Sequence, residues 1–163
     1  VEDTVTGTLT RKRLLIGARI FGNRFAAITE PGEAVGVLLP NANGAIVTFF
    51  GLQSGARVAA MLNYTSGPAN IASAIRTAKI RTVISSKAFI EKAELGDLVT
   101  AINGTGATIG WLEEVRETIS MQEKLAAAML WSMPIKPVKP EDPAVILFTS
   151  GSEGTPKGVV LSH

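Results

Sequence analysis

Hydrophobic positions along the chain alternate between a helical period and short uninterrupted runs. Leu14, Ala18, Phe21, Phe25 and Ile28 recur at helical spacing, while Arg11, Lys12, Arg13, Arg19 and Arg24 fall largely off that stripe. The pattern predicts an amphipathic helix over roughly 10–28. Pro31-Gly32 marks a turn, and residues 34–39 form a continuous apolar run closed by Pro40, as in a strand buried on both faces. Asn41 or Asn43 is placed to cap a second helix running to about Ser54, with Gly55 as its stop. Residues 58–62 read as another strand. Ser66-Gly67-Pro68 opens a helix whose inner face is Ile71, Ala74, Ile75 and Ala78. A strand is expected at 81–85, a short helix at 89–95 stopped by Gly96, and an Ala- and Met-rich helix at 119–131. Residues 97–118 show no clear period except a strand-like stretch at 108–111. Residues 133–143 hold four of the eight prolines, and 132–143 reads as an extended connector. Two more apolar strands follow, at 144–148 and 159–161.

Strands alternating with helices predict an α/β fold: a mostly parallel sheet with right-handed crossovers and helices on both faces. Ligands of such sheets bind at the carboxyl ends of the strands. Residues 34–75 carry one charge, Arg57, and 34–56 is long enough to span a bilayer. Pro40-Asn41-Ala42-Asn43-Gly44 interrupts it, so strand, turn and helix is the better assignment.

Composition narrows the possibilities. A length of 163 residues allows one domain, and 46% hydrophobic against 18% charged residues excludes disorder. The absence of cysteine excludes a disulfide framework, a thiol nucleophile, an iron–sulfur cluster and a thiolate zinc site. The single histidine is the last residue, His163, which argues against a Ser-His-Asp triad or a histidine metal site. Sixteen basic residues against fourteen acidic ones, without a basic block, leave no nucleic-acid footprint. A start at Val1 and an end directly after a strand-like run are expected of a piece of a longer protein.

The chemistry-bearing segment is Thr149-Ser150-Gly151-Ser152-Glu153-Gly154-Thr155-Pro156-Lys157-Gly158. Glycines let backbone N–H groups point at an anion, hydroxyls donate to phosphate oxygens, and Lys157 adds a point charge. It is not a Walker A loop, because Lys157 follows a proline and precedes Gly158 and a strand-like run. A loop held between two strands is expected instead. The same composition would suit a plain Gly/Ser surface turn. Glu153 is out of place among phosphates and is expected to point outwards or to pair with a cation.

The order of residues in this segment resembles the phosphate-binding signature of the adenylate-forming (AMP-binding) superfamily, Thr/Ser-Ser-Gly-Thr/Ser-x-Gly-x-Pro-Lys-Gly. Val37-Leu38-Leu39-Pro40-Asn41, Leu62-Asn63-Tyr64 and Ala78-Lys79-Ile80-Arg81-Thr82-Val83-Ile84 are similar to earlier segments of that superfamily, so the resemblance spans almost the whole chain. Ser152-Glu153-Gly154 departs from the commoner Thr-Thr-Gly or Ser-Thr-Gly of the superfamily, and Met61-Leu62-Asn63-Tyr64-Thr65 and Pro140-Glu141-Asp142-Pro143 are similar to one branch. In that branch a bacterial 2-acylglycerophosphoethanolamine acyltransferase is joined to an acyl-acyl-carrier-protein synthetase.

The resemblance implies that residues 1–163 are a partial AMP-binding domain, an N-terminal subdomain ending just after the phosphate loop. It implies ATP and Mg²⁺ as cofactors. A fatty acid is activated as acyl-AMP and transferred to acyl carrier protein or CoA, by a protein in the cytoplasm or at the cytoplasmic face of the bacterial inner membrane. Thr149, Ser150, Gly151, Ser152, Glu153, Gly154, Thr155, Pro156, Lys157 and Gly158 form the implied ATP/pyrophosphate-binding segment, and no catalytic or metal residue is assignable. The isolated piece is expected to be inactive. The rival readings are an acyl-CoA ligase or other carboxylate adenylator, and a non-catalytic α/β binding module with a degenerate phosphate loop. Trp111, Trp131 and Tyr64 are expected to be packing residues, and His163 to have no role.

Overall fold

The computed structural model describes residues 2–3, 7–149 and 156–163, the side chains from residue 7 onwards. Two short strands, β1 (Glu2–Asp3) and β2 (Gly7–Thr8), pair antiparallel; nothing in the hydrophobic pattern announced them. Helix α1 (Arg11–Ala26) follows, its first turn capped by the Thr10 hydroxyl, which accepts from Arg13 N–H. It buries Leu14, Ala18, Ile20, Gly22 and Phe25. Ile28 lies beyond its end and is 58% exposed, so the expected stripe stops at Phe25.

Then come β3 (Ala34–Val37), α2 (Asn43–Ser54), β4 (Val58–Met61), a single 3-10 turn (Tyr64–Ser66), α3 (Pro68–Thr77), β5 (Thr82–Ser85), α4 (Lys87–Lys92), α5 (Gly96–Asn103), β6 (Thr108–Trp111), α6 (Leu112–Glu117), α7 (Met121–Met129), β7 (Pro143–Thr149) and β8 (Lys157–Ser162). The six-stranded sheet has the order β6-β5-β3-β4-β7-β8. It is parallel throughout except for β8, which runs antiparallel to β7.

Two hydrophobic clusters sandwich this sheet. One joins Val58, Ala60 and Val83 to Ile71, Ala74 and Ile75 of α3 and Leu98 and Ile102 of α5. The other joins Val35, Val37, Ala59 and Ile84 to Phe25 of α1, Leu52 of α2 and Leu112 of α6. Strands β3, β4 and β5 therefore send alternate residues into opposite cores, which is why these runs read as continuous hydrophobe. Among the described residues no helix is long and apolar enough to cross a membrane.

Helix α2 is not capped by a side chain. Ala42 occupies the N-cap position, and the Asn43 amide, inside the first turn, donates instead to Gly7 O at 2.9 Å. The expected stops also move. Helices α2, α3 and α4 each close with a Schellman pair of hydrogen bonds: Ala56 N–H to Gln53 O with Arg57 N–H to Leu52 O, Lys79 to Arg76 with Ile80 to Ile75, and Glu94 to Glu91 with Leu95 to Ile90. The left-handed residue in each is not glycine but Ala56 (φ 60°), Lys79 (φ 52°) or Glu94 (φ 53°). Gly55 is only the residue before the turn, and Gly96 opens α5 rather than ending α4. The last helix starts at Met121, not 119, because Ser120 and Glu123 form a capping box.

Helices α1 and α2 cross with their backbones nearly touching. A Cβ on Gly22 would lie 2.7 Å from Gly51 O and 2.7 Å from Ile135 Cδ1, and one on Gly51 would lie 3.1 Å from Ala18 O. At the amino edge of the sheet Arg57 is buried. Its guanidinium donates to Thr29 Oγ1 (3.1 Å) and Ala26 O (3.2 Å), and also to the carbonyls of Gly55 and Thr29. Burial pushes its pKa down, against the opposing pull of Glu30 and Glu33. This cation fastens the turn after α1 to the turn after α2. It lies at the edge away from the carboxyl ends of the strands and carries no site.

Candidate functional site

The strand β7 lies beside β4 with Ala59, Ala60 and Met61 opposite Val145, Ile146 and Leu147. It turns back into β8, and the pairing runs without a break from Val145–Leu161 to Thr149–Lys157. Thr149 and Lys157 therefore face each other across the hairpin and close the loop that carries the Gly/Ser string. A loop between two strands is what the sequence predicts.

Of the ten residues implicated, Thr149, Pro156, Lys157 and Gly158 are described; Ser150, Gly151, Ser152, Glu153, Gly154 and Thr155 lie outside the described residues, and the expected orientation of Glu153 lies there with them. Gly158 belongs to β8 rather than to the loop. A Cβ there would meet Ile146 Cγ2 at 3.2 Å and Phe148 Cε1 at 3.6 Å. Its bare backbone seats the Phe148 ring, so its described role is packing beneath the loop.

A cavity of about 550 Å³ opens beside the hairpin, lined by Phe148, Thr149 and Pro156 on one side and by Asn63, Ser66 and Asn70 on the other. The sequence reading did not place those three polar side chains at the site. The Asn63 carboxamide oxygen accepts from Thr65 N–H (3.0 Å) and Thr65 Oγ1 (2.8 Å), and Ser66 Oγ donates to Asn63 O (2.7 Å). Asn70 Nδ2 donates to Ser66 O (2.8 Å). These bonds hold the 63–70 turn rigid, so it stands as a polar wall opposite the loop. The signal available was turn chemistry, Asn-x-Thr-Ser-Gly-Pro, and it says nothing about which strand's loop faces it.

Tyr64 packs edge-on against Phe89 with ring centroids 5.2 Å apart, a packing role as expected. Trp111 is half-buried beneath Lys87 Nζ, 6.0 Å from its ring. His163 lines a separate cleft with Trp131 and Met133. Among the described residues no group of three His, Cys, Asp or Glu side chains could hold a metal ion. The polar wall of Asn63, Ser66 and Asn70 and the Thr149 hydroxyl line the cavity, and Lys157 stands opposite Thr149 at the base of the hairpin, donors of the kind that suit an anion.

A family model described as AMP-binding enzyme matches residues 3–163. The chain belongs to the AMP-binding enzyme family. It is 27% identical over 153 residues to the medium/long-chain-fatty-acid–CoA ligase FadD6 of Mycobacterium tuberculosis, covering 90% of this chain and 24% of that protein. Among solved structures it superposes on VinN in complex with 3-methylaspartate with a TM-score of 0.75 and 24% identity, over 98% of this chain and 42% of that one. ATP-bound MatB from Rhodopseudomonas palustris gives a TM-score of 0.71 at 20% identity, over 98% of this chain and 31% of that one. The fold is thus that of the N-terminal region of adenylate-forming enzymes. The chain spans about a quarter of the length of the FadD6 ligase.

Proposed function

We propose that residues 1–163 are the N-terminal subdomain of an ATP-dependent fatty-acid ligase, ending just after its phosphate loop. The carrying observation is that the ordered string 149–158 sits on the β7–β8 hairpin, beside a cavity with a polar wall, in a chain of the AMP-binding family. In the reaction a fatty-acid carboxylate oxygen attacks the α-phosphorus of ATP. The bond from that phosphorus to the bridging oxygen breaks, and pyrophosphate leaves with the electron pair. A thiolate sulfur then attacks the acyl carbonyl carbon and AMP departs. The FadD6 relative supports the fatty-acid substrate.

This chain's part is to hold the β- and γ-phosphates so that the α-phosphate is presented in line, and to stabilise charge growing on the leaving group. Ser150, Ser152 and Thr155 donate hydroxyls and Lys157 supplies positive charge. Mg²⁺ would accompany the phosphates and neutralise part of their charge. The preferred acceptor is the phosphopantetheine thiol of acyl carrier protein, on the strength of the branch-specific segments around Met61 and Pro140. CoA is the alternative acceptor, favoured by the FadD6 relative. The parent protein works in the cytoplasm, at the inner face of the membrane, and the 163-residue piece alone does not turn over.

In the intact protein Lys157→Ala should slow ATP–pyrophosphate exchange at least about tenfold, the loss of one charge-assisted contact of roughly 1.4 kcal/mol or more. Unchanged exchange would remove Lys157 from this role. Thioester formation with acyl carrier protein and CoA offered separately decides the acceptor.

A further inference from the structure

A second cavity opens on the same carboxyl edge of the sheet but on its other face, under α1, α2 and α6. Its volume is about 460 Å³, within the roughly 300–1,000 Å³ typical of small-molecule sites. Phe21, Leu39, Val47 and Leu112 supply apolar walls, and Arg13 and Arg116 stand at its rim. None of Thr149, Pro156, Lys157 and Gly158 lines it, and no step proposed above uses it.

Among the described residues the charge around this cavity is one-sided. Neither Arg13 nor Arg116 makes an ion pair or a side-chain hydrogen bond among the described residues. The one carboxylate in the lining, Glu113, is already committed: it accepts from Ser86 Oγ (2.6 Å), Lys87 N–H (3.0 Å) and Ala88 N–H (3.3 Å), and so caps α4. Lys87 in turn pairs with Glu114 at 2.6 Å, which holds that second acid away from the arginines. The first turn of α2, residues 43–45, also lines the cavity. Two guanidiniums without a partner among the described residues stand over a hydrophobic floor. An apolar molecule would leave those cations unused, and a bare inorganic anion would leave the floor wet.

We infer that this cavity binds an amphipathic anion, a carboxylate or phosphate head held by Arg13 and Arg116 with a short alkyl tail on the Phe21–Leu39–Val47–Leu112 floor. The site is separate from the polyphosphate cavity and requires no nucleotide.

The test is an NMR titration of the uniformly ¹⁵N-labelled 163-residue chain with hexanoate and with hexyl phosphate. Acetate and inorganic phosphate serve as heads alone, and 1-hexanol as tail alone. Saturable shifts are expected at Gly17, Gly44, Val47 and Arg116 for at least one two-part ligand, and the tighter of the two identifies the head. Heads and tail alone should bind at least tenfold more weakly. Arg13→Gln combined with Arg116→Gln should weaken the two-part ligand at least tenfold while the rest of the spectrum is retained; both side chains are exposed and unpaired, so the fold should survive. The inference is overturned if 1-hexanol binds as well as hexanoate, if the double variant binds unchanged, or if shifts fall only at Asn63, Asn70 and Thr149. No ATP is present, so failure here leaves the polyphosphate reading standing, and failure of the pyrophosphate-exchange test leaves this one standing.

Discussion

Replacing Gly22 by alanine tests whether the α1–α2 crossing is set by backbone contact. The added Cβ would lie 2.7 Å from the Gly51 carbonyl oxygen and 2.7 Å from Ile135 Cδ1. The isoleucine tip can rotate, but the carbonyl belongs to a helix and cannot. Relief requires α1 to lift from α2 by some tenths of an ångström, and a gap of about 0.5–1 Å already forfeits a quarter to a half of each dispersion contact. Overpacking costs about 1–3 kcal/mol, and a 2.7 Å clash with a fixed backbone carbonyl belongs in the upper half of that range, about 2–3, while the better helix propensity of alanine returns about 0.8–1.0. The net expectation is a loss of roughly 1–2 kcal/mol, or a fall of about 2–8 °C in Tm for a chain of this size. Urea unfolding followed by circular dichroism should show a lower midpoint at unchanged slope. Gly96→Ala is the control: nothing lies within 4 Å of a Cβ there, and its effect should stay within about 0.5 kcal/mol. A Gly22→Ala protein as stable as the parent would refute the reasoning.

Three other substitutions follow from the same structure. Glu94→Gly should raise stability by about 1 kcal/mol, because glycine occupies the left-handed region at φ 53° without the side-chain clash; a lower Tm would contradict the Schellman assignment. Thr48→Val should stabilise by about 1 kcal/mol in a denaturant melt, since the Thr48 hydroxyl is fully buried and has no partner among the described residues. Burial opposes the charge on Glu113, but hydrogen bonds from Ser86, Lys87 and Ala88 outweigh it and hold its carboxyl below the usual range. Its stabilisation is therefore present above the ordinary carboxylate pKa and lost as pH falls through the lower folded value. Glu113→Gln should thus destabilise at neutral pH, with the gap to the parent closing below about pH 4 in pH-dependent melts.

Strands β3, β4 and β5 were legible because each is an apolar run feeding two cores, and the β7–β8 connection was legible because a Gly/Ser string lies between two apolar runs. The helix stops were not, because Ala56, Lys79 and Glu94 take left-handed positions where glycine is expected, and tertiary packing supports them. Residues 97–118 hid α5 and α6 because each contributes only one or two buried side chains, Leu98 and Ile102 in one and Leu112 in the other, too few to show a period. The polar wall of Asn63, Ser66 and Asn70 was invisible for another reason. It meets Thr149 only because β7 returns to lie beside β4, and no linear pattern records which strands become neighbours.

That return has a kinetic consequence. Ala59 and Val145 are register partners far apart in sequence, whereas β3, β4 and β5 are neighbours along the chain and in the sheet. Contacts closing long loops form late. The three central strands should therefore nucleate first and β7 should zip on last, bringing the β7–β8 hairpin into being at the end of folding. Pulse-labelled amide exchange during refolding should find Val35 and Val83 protected before Ile146, so that any intermediate trapped on the way is a structured domain that does not yet possess the proposed polyphosphate site.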